Sequence, residues 1–481
     1  MRVPFLVSSI LGMSLVAGCP DRTISKVPPQ SNGVFTKDIP ISADIDILFV
    51  IDNSASTADK QTVFAQNFPK FVAALDAFPG IGRPNIHMAV VTTSVDLGVA
   101  QGTGCPHPNL KEDGRMQNTA GALAPPGCPV PNGRYIADIK LPDGTRQVNY
   151  AGALADNFSC IAQVGATGCG FESQLEAIKR ALDGSRAENA GFLRPGAYLA
   201  VVILTDEDDA STKDGQAGLD LFSVPAAQAG PGDFRAQPLF AYTCDQPLSA
   251  TAGGTYTNCK VRTDSYLKDP LVYAQFLSTI KDPNEIVVAL IAGDPTSTMT
   301  MTGALTQNGT TQDLALEPSC HATINGNMAI ARPGIRLDNF LQNFGDHGIF
   351  RTICQSDYSQ ALTDIGALLF KAVSPCLEGA INTADADPSN PGVQLDCTVS
   401  DVTGLDTASQ TETPLRACKM NADGVTPDPA SPTPCWYTKA NPATCMTETG
   451  LEITFVRGGS TPAIGTVTQV SCATAPPATG P

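Results

Sequence analysis

The sequence predicts an α/β fold: a doubly wound, mostly parallel sheet flanked by helices, followed by a smaller Cys-rich unit of mostly β or irregular structure. Three observations carry that expectation. Short, nearly all-apolar runs recur along the chain, amphipathic segments at helical spacing separate them, and both stop near residue 375, where cysteines become frequent.

Strands covered on both faces of a parallel sheet read as continuous apolar runs rather than as alternation. Residues 46–51 (DILFVI), 86–92 (IHMAVVT), 198–204 (YLAVVIL) and 285–291 (EIVVALI) have this character, and 349–353 reads as a last short strand. Residues 57–78 place Val63, Phe64, Phe68, Phe71, Val72 and Leu75 on one helical face. Residues 171–182 do the same with Phe171, Leu175, Ile178 and Leu182, and further helices are expected over 270–280, 335–344 and 358–372. Strands alternating with helices of this length predict βαβ units.

The N-terminus sets the compartment. A short basic start, Met1-Arg2, is followed by an apolar stretch from Phe5 to Ala17 and then by Leu15-Val16-Ala17-Gly18-Cys19. That order describes a signal peptide over residues 1–18. Its last five residues resemble the bacterial lipobox, which implies cleavage before Cys19 and acylation of that cysteine. Cysteine parity agrees: of 15 cysteines, setting Cys19 aside leaves 14, an even number for an oxidising compartment. The expected address is the cell envelope, by a lipid anchor, at an outer membrane or cell surface rather than an inner membrane. Residues 19–43, polar with Pro28-Pro29, read as a tether.

A net charge of −17, from 47 acidic against 30 basic residues, speaks against nucleic acid and favours cations as partners. Long Gly-, Pro- and Asn-rich insertions interrupt the α/β rhythm between 44 and 374, over about 96–165, 214–261 and 294–332. Pairing neighbouring cysteines suggests Cys105–Cys128, Cys160–Cys169, Cys244–Cys259 and Cys320–Cys354, although sequence alone leaves connectivity open. Residues 375–481 hold six further cysteines and form the second domain.

The first strand runs into Asp52-Asn53-Ser54-Ala55-Ser56, and the strand at 198–204 runs into Thr205-Asp206. Both stretches lie at the carboxyl ends of buried strands, where open α/β sheets place their ligands. FVIDNSAS resembles the Asp-x-Ser-x-Ser motif of the von Willebrand factor A and integrin I domain superfamily. The resemblance covers about residues 44–374. It implies a metal-ion-dependent adhesion site made by Asp52, Ser54 and Ser56, by a threonine from a second loop, and by Asp206 from a third. The glycine-flanked Thr167, just before a helix, is nominated for the threonine. Thr92 and Thr93 are the competing choice.

Oxygen ligands of this kind suit hard cations, with Mg²⁺ first and Ca²⁺ or Mn²⁺ as alternatives. The implied partner is a protein presenting an acidic residue to an open coordination position. The run Asp206-Glu207-Asp208-Asp209 departs from the family pattern. Glu207, Asp208 and Asp209 read either as a solvated loop or as a second cation site. No Gly-x-Ser-x-Gly, Walker loop or His-Glu-x-x-His occurs, so the chain is expected to bind rather than to catalyse. Two alternatives stand beside that reading: a structural envelope protein whose metal only stabilises the fold, and a metal-dependent hydrolase.

Overall fold

The computed structural model describes residues 34–475 apart from 41–42, 80–81, 99–111, 142, 230–234, 305–313, 405–408, 446, 461 and 463–465. The signal peptide, Cys19 and Cys105 lie outside the described residues.

The chain enters as strand β1 (Val34–Pro40) and continues into a seven-stranded sheet. That sheet contains β2 (Asp44–Ile51), β3 (Asn85–Thr92), β4 (Ile136–Lys140), β5 (Arg146–Val148) and β6 (Tyr198–Leu204), with the strands Ile286–Ala292 and Gly348–Thr352. β2 is central: Ile45 to Ile51 pair in parallel with β6 on one side and β3 on the other. Ile286–Ala292 and Gly348–Thr352 extend the parallel run, while β4 and β5 add antiparallel strands at the opposite edge.

Side chains alternate across a strand, so β2 serves two cores. Ile47, Phe49 and Ile51 meet α1 (Ala58–Asp76), α2 (Leu154–Ala162) and the helix Ser359–Val373. Phe49 lies against Phe64, Phe68, Phe71 and Phe158, and the rings of Phe68 from α1 and Phe158 from α2 stack with centroids 3.6 Å apart. Leu48 and Val50 face α3 (Gln174–Leu182) and the helices Pro270–Ile280 and Ile335–Leu341. Each of these fully buried apolar side chains contributes about 1.5–3 kcal/mol of transfer free energy.

The expected fold class is corrected here. Twenty strands are described, only seven of them in the large sheet, and helices are the minority element. The reason is that the insertions, read as long loops, fold as strands of their own, and the last hundred residues, expected to be mostly β or irregular, supply most of a six-stranded sheet. Ala252–Tyr256, Met299–Ala304 and Ala315–Leu316 form a three-stranded sheet, and Cys320–Ile324 pairs with Asn327–Ala331. The molecule is a strand-rich assembly of mixed sheets, not a doubly wound α/β protein with an appendage.

The final residues form a six-stranded sheet in which β1 is the outer strand, followed by Thr466–Ala473, Cys397–Thr403, Thr411–Ala417, Cys435–Ala440 and Leu451–Val456. Part of the segment read as a tether is therefore structural: Val34 lies opposite Ala473 and Ile39 opposite Thr468. Lys37 of β1 donates to the carbonyls of Lys371 and Cys376 at 3.2 and 3.1 Å. Burial lowers its pKa to about 8.

Two expected disulfides are also corrected. Cys128 pairs with Cys160, which excludes Cys105–Cys128 and Cys160–Cys169. Neighbour pairing failed because the insertion folds back onto α2: Gly121 and Leu123 donate to the carbonyls of Cys160 and Gln163. Cys169 is disulfide-bonded. Cys244–Cys259 and Cys320–Cys354 form as expected, and Cys376–Cys445, Cys397–Cys472 and Cys418–Cys435 staple the C-terminal sheet.

Candidate metal-binding site

At the carboxyl end of β2 the backbone turns sharply, and the turn is built by its own polar groups. The Asp52 amide donates to the Leu204 carbonyl at 2.9 Å, tying β2 to the end of β6. Asp52 Oδ1 accepts the Ser54 amide at 2.8 Å, and Thr57 Oγ1 donates to the carbonyls of Asp52 and Ser54, both at 2.9 Å. These local bonds hold Ser54 and Ser56 on one side of the turn before α1 starts.

The distant loops meet there. Ser54 Oγ is 3.2 Å from Ser56 Oγ, and Ser56 Oγ donates to Asp206 Oδ1 at 3.0 Å. Thr205 Oγ1 donates to Asp52 Oδ2 at 2.7 Å. Two hydroxyls and two carboxylates, drawn from positions about 150 residues apart, thus share one small volume. Asp52 and Asp206 are buried and Ser56 is exposed, so the site opens to solvent along Ser56. Burial first, and repulsion from Asp206 second, raise the Asp52 carboxyl to about 6.

Two residues that sequence reasoning missed complete the surroundings. Lys60, on the first turn of α1 and only 2% exposed, places its ammonium 2.8 Å from Asp206 Oδ2 and donates to the Ser56 carbonyl at 2.8 Å. The approach to Asp206 is an ion pair without hydrogen-bond alignment, and Asp206 Oδ2 has no hydrogen-bond donor. Glu172, just before α3, is 1% exposed, and its Oε2 has no hydrogen-bond partner. Burial, then repulsion from Glu207, Asp52 and Asp206, holds its carboxyl well above the usual range. Its backbone is fixed between two neighbouring loops: the Ala210 amide donates to the Glu172 carbonyl and the Ser173 amide to the Thr93 carbonyl. In sequence, Glu172 looks like an ordinary acid near a helix start, and nothing local marks it as buried.

Thr167 does not join the constellation. Its side chain is exposed, and the described hydrogen bonds of its loop to the site run through its neighbours. The Gly168 amide donates to the Asn53 carbonyl at 2.7 Å, and Gly165 exchanges hydrogen bonds with Gln61. A Cβ on Gly168 would come within 2.2 Å of Asn53 Oδ1, so the close approach requires glycine. Of the competing threonines, Thr93 lies nearer, its hydroxyl 3.5 Å from Asp52 Oδ1.

The acidic run after Asp206 is neither a solvated loop nor an available second cation site. Asp208 is fully buried and accepts from Tyr242 Oη at 2.7 Å and from the amides of Arg336 and Leu337 at 2.8 and 3.0 Å. It thereby caps the helix Ile335–Leu341, whose free amides favour an anion. Asp209 accepts from Ser211 Oγ, from the Leu175 amide and from Arg336 Nη2 at 2.6, 3.1 and 3.0 Å. Glu207 accepts from Gln237 at 3.1 Å and faces Arg332 at 3.5 Å. These carboxylates are occupied by donors of the protein itself.

Among the described residues no group of three or more His, Cys, Asp or Glu side chains has metal-holding geometry. The convergence consists instead of paired hydroxyls and carboxylates. This all-oxygen donor set fits a hard divalent cation better than a soft one.

No family model matches the chain, and no curated protein matches it. Among solved structures, the pilus adhesin SpaC from Lactobacillus rhamnosus GG in its open conformation is 10% identical, covering 92% of this chain and 41% of that one at a TM-score of 0.30. The pilus adhesin RrgA from Streptococcus pneumoniae is 10% identical, with coverage of 92% and 58% and a TM-score of 0.29. The human COPII-coat protein Sec24c is 9% identical, with coverage of 92% and 46% and a TM-score of 0.28. The chain spans about half the length of these proteins, and likeness at such TM-scores carries no argument. Membership in the von Willebrand factor A superfamily is not upheld: the sequence matches no family model, and the chain is strand-rich with mixed sheets.

Proposed function

We propose that this chain is an exported, envelope-anchored binding protein that takes a divalent cation at Asp52, Ser54, Ser56 and Asp206 and uses it to engage a carboxylate-bearing protein ligand. The observation that carries the reading is the meeting of Ser56 Oγ with Asp206 Oδ1 at 3.0 Å, beside Ser54 Oγ. Loops this distant in sequence converge on acceptor oxygens at the carboxyl ends of two central strands, on a side open to solvent at Ser56. A cation there would supply a positive point for a partner's carboxylate, Ser54 and Ser56 would hold it through their hydroxyls, and Asp52 and Asp206 would balance its charge. Thr205 and Gln61 orient the turn through Asp52. The leader-like N-terminus and seven possible disulfides support export to an oxidising surface.

The test is calorimetry of the full chain with MgCl2, CaCl2 and MnCl2, followed by partner retention with and without EDTA. One cation per chain, lost in Ser54→Ala/Ser56→Ala, and partner release by EDTA are expected. An absence of uptake for all three metals would overturn the reading. Burial of both Asp52 and Asp206 favours a second reading, in which the cation only stabilises the fold. That reading predicts a lower melting temperature in EDTA with partner retention unchanged.

A further inference from the structure

We propose that the polar groove between the paired strands Tyr242–Thr243 and Lys260–Val261 and the helices Pro270–Ile280 and Ile335–Leu341 binds a neutral, hydroxyl-rich ligand, an oligosaccharide. The groove shares no lining residue with the candidate cation site, so the inference goes beyond the cation reading and does not depend on it.

The walls of the groove are fixed by the fold. Its volume is about 680 Å³, within the usual range of ligand sites. The Cys244–Cys259 disulfide clamps the strand pair, and the Cys259 amide donates to the Ser297 carbonyl at 2.8 Å, which ties the pair to the loop after Ile286–Ala292. Opposite, Asp269 accepts from the Leu271 amide at 3.0 Å and caps the first helix. The second helix is held at its start by Asp208, through the amides of Arg336 and Leu337. Walls that stand in place beforehand leave little to be ordered on binding.

The lining selects the ligand. Ile335, Asp338, Asn339, Gln342 and Asn343 recur at the spacing of one helical face, and that face borders the groove. Four of the five carry a planar carboxylate or carboxamide, a shape that meets two adjacent hydroxyls of a sugar ring with paired hydrogen bonds. Gln342 Nε2 donates to Asp338 Oδ2 at 2.6 Å, and Asn343 Nδ2 donates to the carbonyls of Asn339 and Phe340 at 2.8 and 3.1 Å. These bonds orient both carboxamides and leave their oxygens as acceptors. Among the described residues no hydrogen bond within the protein engages the side chains of Thr263, Ser297 and Asn339. Lys260 is the one cation of the lining, against the carboxylates of Asp269 and Asp338. That balance disfavours phosphate- or carboxylate-rich ligands, which call for clustered Arg and Lys. Val261, Leu271 and Pro295, with Ile335, supply enough apolar surface for the C–H face of a ring and too little for a largely apolar ligand.

The experiment titrates the full chain in EDTA, by calorimetry, with cellohexaose, chitohexaose, maltohexaose and an α-1,6-linked mannohexaose. At least one of them binds, at one site per chain. Asn339→Ala weakens that binding about 3–10-fold, the loss expected for one hydrogen bond. Ser297→Trp, at an exposed position, fills the groove and abolishes binding. Thr167→Ala, exposed on another loop, binds like the parent. Melting temperatures equal to the parent's show that the variants fold. Uptake of none of the four hexasaccharides overturns the proposal, and so does uptake that both Asn339→Ala and Ser297→Trp leave unchanged. Binding of an uncharged Ser-Gly-Asn-Ser-Gly-Asn peptide in place of the sugars would assign the groove to extended chains and overturn it as well. Uptake of MgCl2, measured separately, is unchanged in Ser297→Trp, and its absence in the parent would remove the cation reading while leaving the groove's ligand standing.

Discussion

On the loop after β6, Asp208 and Asp209 are met by donors: a tyrosine hydroxyl, a serine hydroxyl, five backbone amides and the guanidinium of Arg336. Asp206, two residues earlier, accepts from Ser56 Oγ and is ion-paired with Lys60 at 2.8 Å, whereas Glu172 is buried with an oxygen that has no hydrogen-bond donor. Burial is similar in the two places, with all four carboxylates nearly inaccessible. The difference lies in satisfaction. A buried carboxylate surrounded by donors is part of the architecture, whereas one left short of donors holds capacity for something from outside. The satisfied cluster has one blemish, since Arg336 Nη1 lacks a partner.

The largest expected effect comes from breaking the satisfied cluster. Arg336→Met strands Asp209 and should cost about 3–5 kcal/mol, the usual penalty for removing one member of a buried pair. Urea unfolding in EDTA measures it, and a loss below about 1 kcal/mol would show that the cluster is not structural.

Acidity provides the next test, because it touches both clusters. Burial raises Asp52 and Asp208 from 3.8 to about 6. Between those values the folded state binds more protons than the unfolded chain, so the contribution of these groups to stability falls as pH rises from about 4 to about 6 and is level above. The ceiling is about 3 kcal/mol for each group. Metal-free protein should therefore unfold at higher urea at pH 5 than at pH 7 once the groups with lowered values are allowed for. Asp52→Asn should flatten part of the slope. A slope unchanged in Asp52→Asn would place that carboxyl's pKa near its ordinary value.

The smallest effects separate two adjacent residues. Gly168→Ala forces Asn53 out of its hydrogen bonds with Ser94 and Glu112, at a cost of about 1–3 kcal/mol. Thr167→Ala, at an exposed position, should stay within about 0.5 kcal/mol. Equal melting temperatures for the two variants would contradict the packing described for this loop.

Much of the large sheet was legible because its strands are buried on both faces. The runs 46–51, 86–92, 198–204 and 285–291 are nearly all apolar, and each lies in a strand apart from Glu285, which ends the turn before Ile286–Ala292. The helices over 57–78 and 171–182 followed from their Phe and Leu spacing, although the second begins only at Gln174. The sheets outside were not legible, since strands such as Ala252–Tyr256 (AGGTY) and Met299–Ala304 (MTMTGA) carry little apolar alternation. Of the site, Asp52, Ser54, Ser56 and Asp206 were marked by standing where buried strands end. Glu172 and Lys60 were not, because their burial depends on which helix start packs behind which loop. The segment 34–40 carries a similar lesson, as its pairing partner lies more than four hundred residues away.

That pairing constrains the order in which the molecule can form. The outer strand is made first, and its complement, Thr466–Ala473, emerges last. Closing so long a loop is entropically costly and gains nothing until the neighbouring strand Cys397–Thr403 is also present to receive Thr466–Ala473. During synthesis the β1 segment must wait, unpaired, while everything between is produced. Its docking then becomes a late step, sealing a sheet whose edge would otherwise invite association with other chains.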